Sequence, residues 1–185
     1  MKIGIIDYQA GNLRNVQKSI EKIGFKSEIL RHGDEVGNYD CLILPGVGSF
    51  RYGIDKLQKL NFVEPIKEHV KVKVKPILGI CLGMQLMSSK GCEGGESAGL
   101  NLLPMTVKRF NLSSPDLSLP HIGWNNISFK SSSILFDDMP ADPDFYFVHS
   151  YHVCSSREDL FSSSCYYEYN FPSSIEHKNM LATQF

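Results

Sequence analysis

The chain has 185 residues, enough to bury one sizeable core as a single domain, 1–185. Its formal net charge of −1 and 42% hydrophobic content argue against disorder and against a basic surface for nucleic acid. No apolar run approaches the length of a membrane span, and the N-terminal Met-Lys-Ile-Gly-Ile-Ile-Asp reads as a strand, not a signal peptide. The five cysteines are odd in number and show no paired spacing; no C-x-x-C occurs, and the six histidines form no ligand set with them. Neither a metal nor another cofactor is expected, and a reduced cytoplasmic compartment fits best.

In chain order, Lys2 to Asp7 reads as a strand. A helix follows from Asn12 to Ile23, with Leu13, Val16, Ile20 and Ile23 on one face and Gly24 placed to end it. Phe25 to Leu30 and Cys41 to Leu44 are further strands. Helical patterns run through Ile54 to Leu60 and near Ile66 to Val70, and Pro76 to Ile80 is a short apolar strand. Strands alternating with helices predict an α/β fold, a mostly parallel central sheet with helices on both faces. The second half changes character. Met105 to Phe110, Ile122 to Phe129, Phe145 to Val153 and Cys165 to Tyr169 read as added antiparallel strands separated by serine-rich turns. A terminal hairpin is expected around Lys178-Asn179, with Asn179 in a left-handed conformation.

The run from Pro76 to Met87 carries the strongest chemical signal. A strand meets Gly79-x-Cys81-x-Gly83, and a helical pattern begins at once with Leu82, Gln85, Leu86 and Met87. That order describes a nucleophile elbow with sulfur in place of the serine oxygen. A helix starting there would point free N–H groups at the Cys81 sulfur and favour thiolate over thiol. The bland alternative is a buried cysteine at a strand end. The third strand ends in Pro45-Gly46-Val47-Gly48-Ser49-Phe50, where Gly46, Val47 and Gly48 form an irregular loop able to turn N–H groups toward an oxyanion.

Together these motifs resemble the class I, triad-type glutamine amidotransferases, and among them the glutaminase subunits of imidazole glycerol phosphate synthases. The resemblance runs along the whole chain. It rests also on Asp7-Tyr8, Gly11-Asn12-Leu13 with Asn15, His121-Ile122-Gly123-Trp124-Asn125 and Tyr146-Phe147-Val148-His149-Ser150-Tyr151. It implies that Cys81 attacks the side-chain amide of L-glutamine, giving a glutamyl thioester and ammonia. It implies an oxyanion donor at Val47 N–H after a peptide rearrangement, and glutamine held by Gln85 and the His149-Ser150 backbone. Asn12, Asn15, Trp124 and Tyr146 match positions facing a (β/α)8-barrel cyclase subunit, which receives the ammonia for histidine biosynthesis in a heterodimer.

Each role has a plainer rival. Asn12 could simply cap the first helix. The single Trp124 could be core, and Tyr146 lies in a Phe-Tyr-Phe run that could pack on a sheet. His149, within an apolar strand, is read as a hydrogen-bonding group and not as the general base. His121 fits an interface or a packing role equally; His32, His69 and His177 are read as solvated.

The resemblance fails at one point. The family places His-Pro-Glu directly after a strand like Leu181-Ala182-Thr183-Gln184-Phe185, and a covering helix after that; this sequence stops at Phe185. The expectation is either a C-terminally truncated copy of an ordinary enzyme or a short form that only binds its partner. Without the triad histidine and glutamate the chain as written is expected to be nearly inert as a glutaminase. Two other functions compete: a glutaminase feeding ammonia to a synthetase that amidates a surface-polysaccharide sugar, and a catalytically inert interaction subunit.

Overall fold

The computed structural model describes residues 1–185. Strand β1 (Ile3–Ile6) leads to helix α1 (Leu13–Lys22), β2 (Ser27–Leu30), β3 (Cys41–Gly46) and α2 (Phe50–Lys59). Helix α3 (Val63–Lys67) runs into a wide turn over Glu68–Val72, and β4 (Ile77–Cys81) passes directly into α4 (Leu82–Leu86). There follow β5 (Ser88–Gly91), β6 (Ser97–Ala98), β7 (Leu103–Arg109), β8 (His121–Phe129), β9 (Asp144–His149) and β10 (Tyr151–Cys154). The chain finishes with β11 (Phe161–Tyr167), β12 (Tyr169–His177) and β13 (Met180–Thr183).

Nine strands form one sheet in the order β2-β1-β3-β4-β13-β12-β11-β8-β9. The first five are parallel and the rest antiparallel; this follows the two halves of the sequence except at β13, which comes from the second half and inserts parallel to β4. The remaining strands make a second, four-stranded sheet in the order β10-β7-β5-β6. The expected strand from Phe145 to Val153 is therefore two strands, split at Ser150 between the two sheets. Short β5 and β6 and the first residues of β11, a serine run, have no apolar pattern to betray them.

Local chemistry explains most boundaries. The Asn12 side chain caps α1 by accepting from the Asn15 N–H (3.4 Å), and Gly24 at φ 87° ends it. On that helix Leu13, Val16 and Ile20 face the sheet, whereas Ile23 lies past the last turn and is 69% exposed, against expectation. The terminal hairpin forms as read, but Lys178 (φ 56°), not Asn179, takes the left-handed conformation. Asn179 is occupied otherwise: its side-chain amide donates to the carbonyls of Val70 (3.0 Å) and Lys75 (2.7 Å), tying the hairpin to the turn before β4. His69 is buried at 1% exposure, not solvated, and its Nε2 lies 3.3 Å from the Pro76 carbonyl. His32 keeps 42% of its side chain exposed, as read, while its Nδ1 also accepts from the Asp34 N–H and caps the 3₁₀ turn Gly33–Asn38. His177 is half-buried on β12.

The main core lies between the parallel strands and α2, α3 and α4, around Phe50, Leu57, Phe62, Ile66, Leu82 and Met84. A separate aromatic core of Phe110, Phe136, Phe147 and Phe171 packs between the antiparallel strands and β7. Between these two cores lies the carboxyl edge of the parallel strands, where β3, β4 and β13 end together.

Candidate active site

Cys81 is the last residue of β4 and the residue before α4, with φ 54° and ψ −110°. A non-glycine residue holds such a conformation only where its surroundings over-determine it. They do so here through close approach. A side chain on Gly83 would collide with the Leu44 carbonyl oxygen on β3, and one on Gly79 would meet Met87 Sδ at 2.8 Å and Met84 N at 2.9 Å. The two glycines let α4 fold back onto the sheet immediately after the cysteine.

The sulfur accepts hydrogen bonds from the Leu82 N–H and from Gln184 Nε2 (3.6 Å). Both favour the thiolate, as the elbow predicts. Burial outweighs them, however, and pushes the Cys81 thiol above its ordinary value. The expectation of a cysteine already biased to thiolate is corrected: α4 is only five residues long, and its N–H groups do not offset the loss of water.

Cys81 opens into a cavity of about 330 Å³. Val47 and Gly48 form one wall. Pairing of Gly46 with Cys81 across β3 and β4 sets that loop level with the sulfur. Gly46 itself lies beneath the buried Tyr8 hydroxyl, which has no hydrogen-bond partner; burial and the nearby Cys81 sulfur push its pKa up. His149, Ser150 and Tyr151 make the opposite wall, and Gln85 the floor. The amide of Gln85 donates to the Tyr151 carbonyl (3.0 Å) and to Gln184 Oε1 (3.0 Å), so its NH2 is fully used within the protein. His149 is buried, with Nδ1 2.9 Å from the Tyr151 carbonyl and Nε2 3.2 Å from His121 Nδ1. Burial drives its pKa down to about 3, which suits a neutral hydrogen-bonding group.

Three further residues stand near the sulfur, and of these only Tyr8 belongs to a motif singled out in the sequence, Asp7-Tyr8. Glu93 lines the cavity, and its Oε2 accepts from the Phe50 N–H (2.7 Å), capping α2. Gln184 and Tyr8 approach from β13 and from the loop after β1. For the other two the sequence hints were slight: an acidic residue inside a glycine-rich run for Glu93 and a terminal strand leading to Gln184.

A second cysteine–histidine pair exists and differs in kind. Cys154 Sγ is 3.6 Å from His152 Nδ1, beside a larger cavity of about 550 Å³ that Lys130 and Ser162 also line. His152 Nδ1 already faces the Val153 carbonyl at 3.0 Å and so carries a proton. It cannot take one from Cys154. No three His, Cys, Asp or Glu side chains converge to hold a metal ion.

Of the four residues expected at a partner surface, Asn12 and Asn15 lie exposed at the start of α1. Trp124 is 74% exposed and Tyr146 49%, which removes the core reading for both. They face each other across β8 and β9 with ring centroids 5.8 Å apart, and Ile122 and Val148 form the next exposed pair.

Comparison with known proteins agrees with this geometry. The family model "Glutamine amidotransferase class-I" matches residues 4–185. The imidazole glycerol phosphate synthase subunit HisH 1 of Campylobacter jejuni is 41% identical over 183 residues, covering 99% of this chain and 90% of its own. Subunit HisH of Moorella thermoacetica is 40% identical, covering 99% and 85%. A crystal structure titled glutamine amidotransferase superposes with a TM-score of 0.77 at 14% identity, covering 99% of this chain and 88% of that one. PurLQS from Thermotoga maritima gives 0.71 at 15% identity, covering 98% and 85%; at such identity these two establish the fold alone. The chain belongs to the class-I glutamine amidotransferase family, on the branch of the imidazole glycerol phosphate synthase subunits.

Proposed function

We propose that the cavity binds L-glutamine and that Cys81 attacks its side-chain amide carbon. Ammonia leaves, and water then hydrolyses the glutamyl thioester to glutamate. The observation that carries this reading is the strained Cys81, opening into a cavity lined by the Val47-Gly48 loop on one side and by the Glu93 carboxylate. Val47 and Gly48 would offer those N–H groups to the tetrahedral oxyanion, and Glu93 would pair with the substrate's α-ammonium. The His149-Ser150 backbone would align the glutamine, with Gln85 supporting that wall through the Tyr151 carbonyl.

The relatives are named as subunits of imidazole glycerol phosphate synthase, and the partner we infer for this chain is a (β/α)8-barrel cyclase subunit that takes up the ammonia. Asn12, Asn15, Trp124 and Tyr146 would meet it. The cytoplasm is the compartment that fits five unpaired thiols. No helix is long and apolar enough to cross a membrane.

Both groups bonded to the Cys81 sulfur are donors, and neither can accept its proton. Turnover therefore requires a base that the sulfur's immediate contacts do not supply. The 185-residue chain should bind glutamine yet release glutamate slowly. An electrophilic glutamine analogue tests the assignment: with the cyclase present it should modify Cys81 alone, and L-glutamine should protect. Modification of other cysteines instead, or none at all, would overturn it. Glutamate release at ordinary enzyme rates by this chain would refute the missing-base argument. Recovery of a partner without barrel-type phosphate loops would instead indicate the sugar-amidating synthetase.

A further inference from the structure

Hydrogen bonds run without a break from the outer strands to the nucleophile, and two backbone carbonyls fix the direction of every one. A carbonyl can only accept. At the outer end, Asn125 Nδ2 lies 3.0 Å from the Tyr166 carbonyl, so that atom is the NH2. Its other hydrogen points to His121 Nε2 at 3.2 Å, which must be the unprotonated nitrogen. His121 Nδ1 then carries the proton and donates to His149 Nε2 at 3.2 Å. That leaves His149 Nδ1 as the donor to the Tyr151 carbonyl at 2.9 Å, the only direction this carbonyl allows. Working inward from one end and outward from the other assigns the same tautomers.

The Tyr151 carbonyl uses its second lone pair for Gln85 Nε2 (3.0 Å). Gln85 therefore presents NH2 at that position, and its other hydrogen goes to Gln184 Oε1 (3.0 Å). With the oxygen of Gln184 committed to Gln85, its NH2 is turned toward Cys81 Sγ at 3.6 Å. The backbone holds it there as well. β13 pairs with β4 so that Ala182 and Thr183 lie opposite Gly79 and Ile80, which brings residue 184 level with the cysteine. The Gln184 N–H is bonded to the Ser173 carbonyl at 2.9 Å, and the next residue, Phe185, stacks on Phe145 with centroids 3.8 Å apart. Gln184 is 1% exposed, so no water competes for its amide.

We propose that Gln184 is a catalytic residue of the Cys81 site, a fixed side-chain donor that stabilises the thiolate. Gln85, fixed by the Tyr151 carbonyl, is the positioning residue that keeps its NH2, and not its oxygen, against the sulfur; the Asn125–His121–His149 series ends on that same carbonyl and holds the strand that carries it. The proposal rests on Cys81 being the nucleophile. A hydrogen bond to a charged acceptor, shielded from water, is strong enough to change the thiolate fraction by about tenfold. Protonation of either histidine would set two donors face to face and break the series.

The test is alkylation of the 185-residue protein by iodoacetamide across a pH series, read at each cysteine by peptide mass spectrometry, with exposed Cys92 as the internal reference. Near neutral pH, Gln184→Leu should slow Cys81 about tenfold relative to Cys92 and move its reactivity profile to higher pH. Gln184→Glu should slow it at least as much, since a carboxylate has no hydrogen to give. Gln85→Leu, which frees the Gln184 amide to rotate, should have a smaller effect in the same direction. Cys81 rates within about twofold of the parent in both Gln184 variants would overturn the proposal. If neither variant folds, the unsubstituted protein decides: the isotope-labelled Gln184 side-chain amide signals should move as Cys81 titrates and stay still in Cys81→Ala. Signals that ignore the titration would refute it. No glutamine enters these measurements, so their failure is separate from failure of the glutaminase assignment.

Discussion

Cys81 and His149 show how burial sets the working state of single residues. For Cys81, burial raises the thiol and two donors bring it partway back. For His149, burial lowers the imidazole to about 3, and His69, His121 and His152 are lowered by the same cause. The sign of the stability effect follows. Between the ordinary histidine value near 6.5 and the lowered one, the unfolded chain binds more protons than the folded chain, so stability rises with pH across that window. Stability is complete above about pH 6.5 and is lost progressively on acidification. His149, lowered to about 3, contributes about 1.4 kcal/mol per pH unit across this window and so about 2 kcal/mol at pH 5; the other three act in the same direction. Thermal unfolding should show Tm at pH 5 lower than at pH 7 by about 5 °C or more. An unchanged Tm over that interval would mean these rings are hydrated in the folded state.

At the scale of elements, β11 and β12 are joined by buried hydroxyls in addition to the aromatic core of the antiparallel half. Ser174 Oγ lies 2.6 Å from both Ser162 Oγ and Ser163 Oγ, and Ser163 Oγ is 2.7 Å from Ser173 Oγ. All four are buried between β11 and β12, where the pairing shifts register around Ser163. Such a network is stable only while each member keeps a partner. Ser174→Ala would leave two buried hydroxyls short of one and should cost about 1–3 kcal/mol in urea unfolding. A loss under about 0.5 kcal/mol would show that water replaces the missing hydroxyl. These serines were hidden from a pattern-based reading, because a serine run looks like a loop. Only its pairing on both sides makes it strand. The elbow was legible for the opposite reason: Gly79, Cys81 and Gly83 act on one another within five residues, so their spacing alone states the geometry.

Across the whole molecule, the sheet separates a chemical edge from an exposed apolar face, the surface proposed to meet the partner. Alternation along β8 turns His121 and Ile127 inward and Ile122 and Trp124 outward; β9 does the same with Phe147 and His149 against Tyr146 and Val148. The outer set is an exposed apolar surface, and its strands lead directly to the cavity wall at His149 and Ser150. Trp124→Ala should weaken cyclase binding by about 2 kcal/mol, roughly 30-fold in Kd by titration calorimetry. The Tm of the isolated chain should stay essentially the same, because this side chain is mostly in water. Unchanged affinity would move the docking surface elsewhere.

The sequence by itself determined what neighbouring residues decide: the alternation of strand and helix, the elbow at Cys81, the glycine loop after β3 and the terminal hairpin. Period-2 and period-3.6 patterns and tight turns are local, so a linear reading captures them. It could not foresee which distant groups meet the sulfur. Gln184 reaches Cys81 across 103 positions because β13 inserts beside β4, and His121 meets His149 only through the pairing of β8 with β9. Tertiary structure also reversed two local expectations, the direction of the Cys81 shift and the solvation of His69, and decided between core and surface for Trp124. The reason is the same in each case. Burial and hydrogen-bond partnership depend on what packs against a residue, and that is set by chain crossings rather than by the residues on either side.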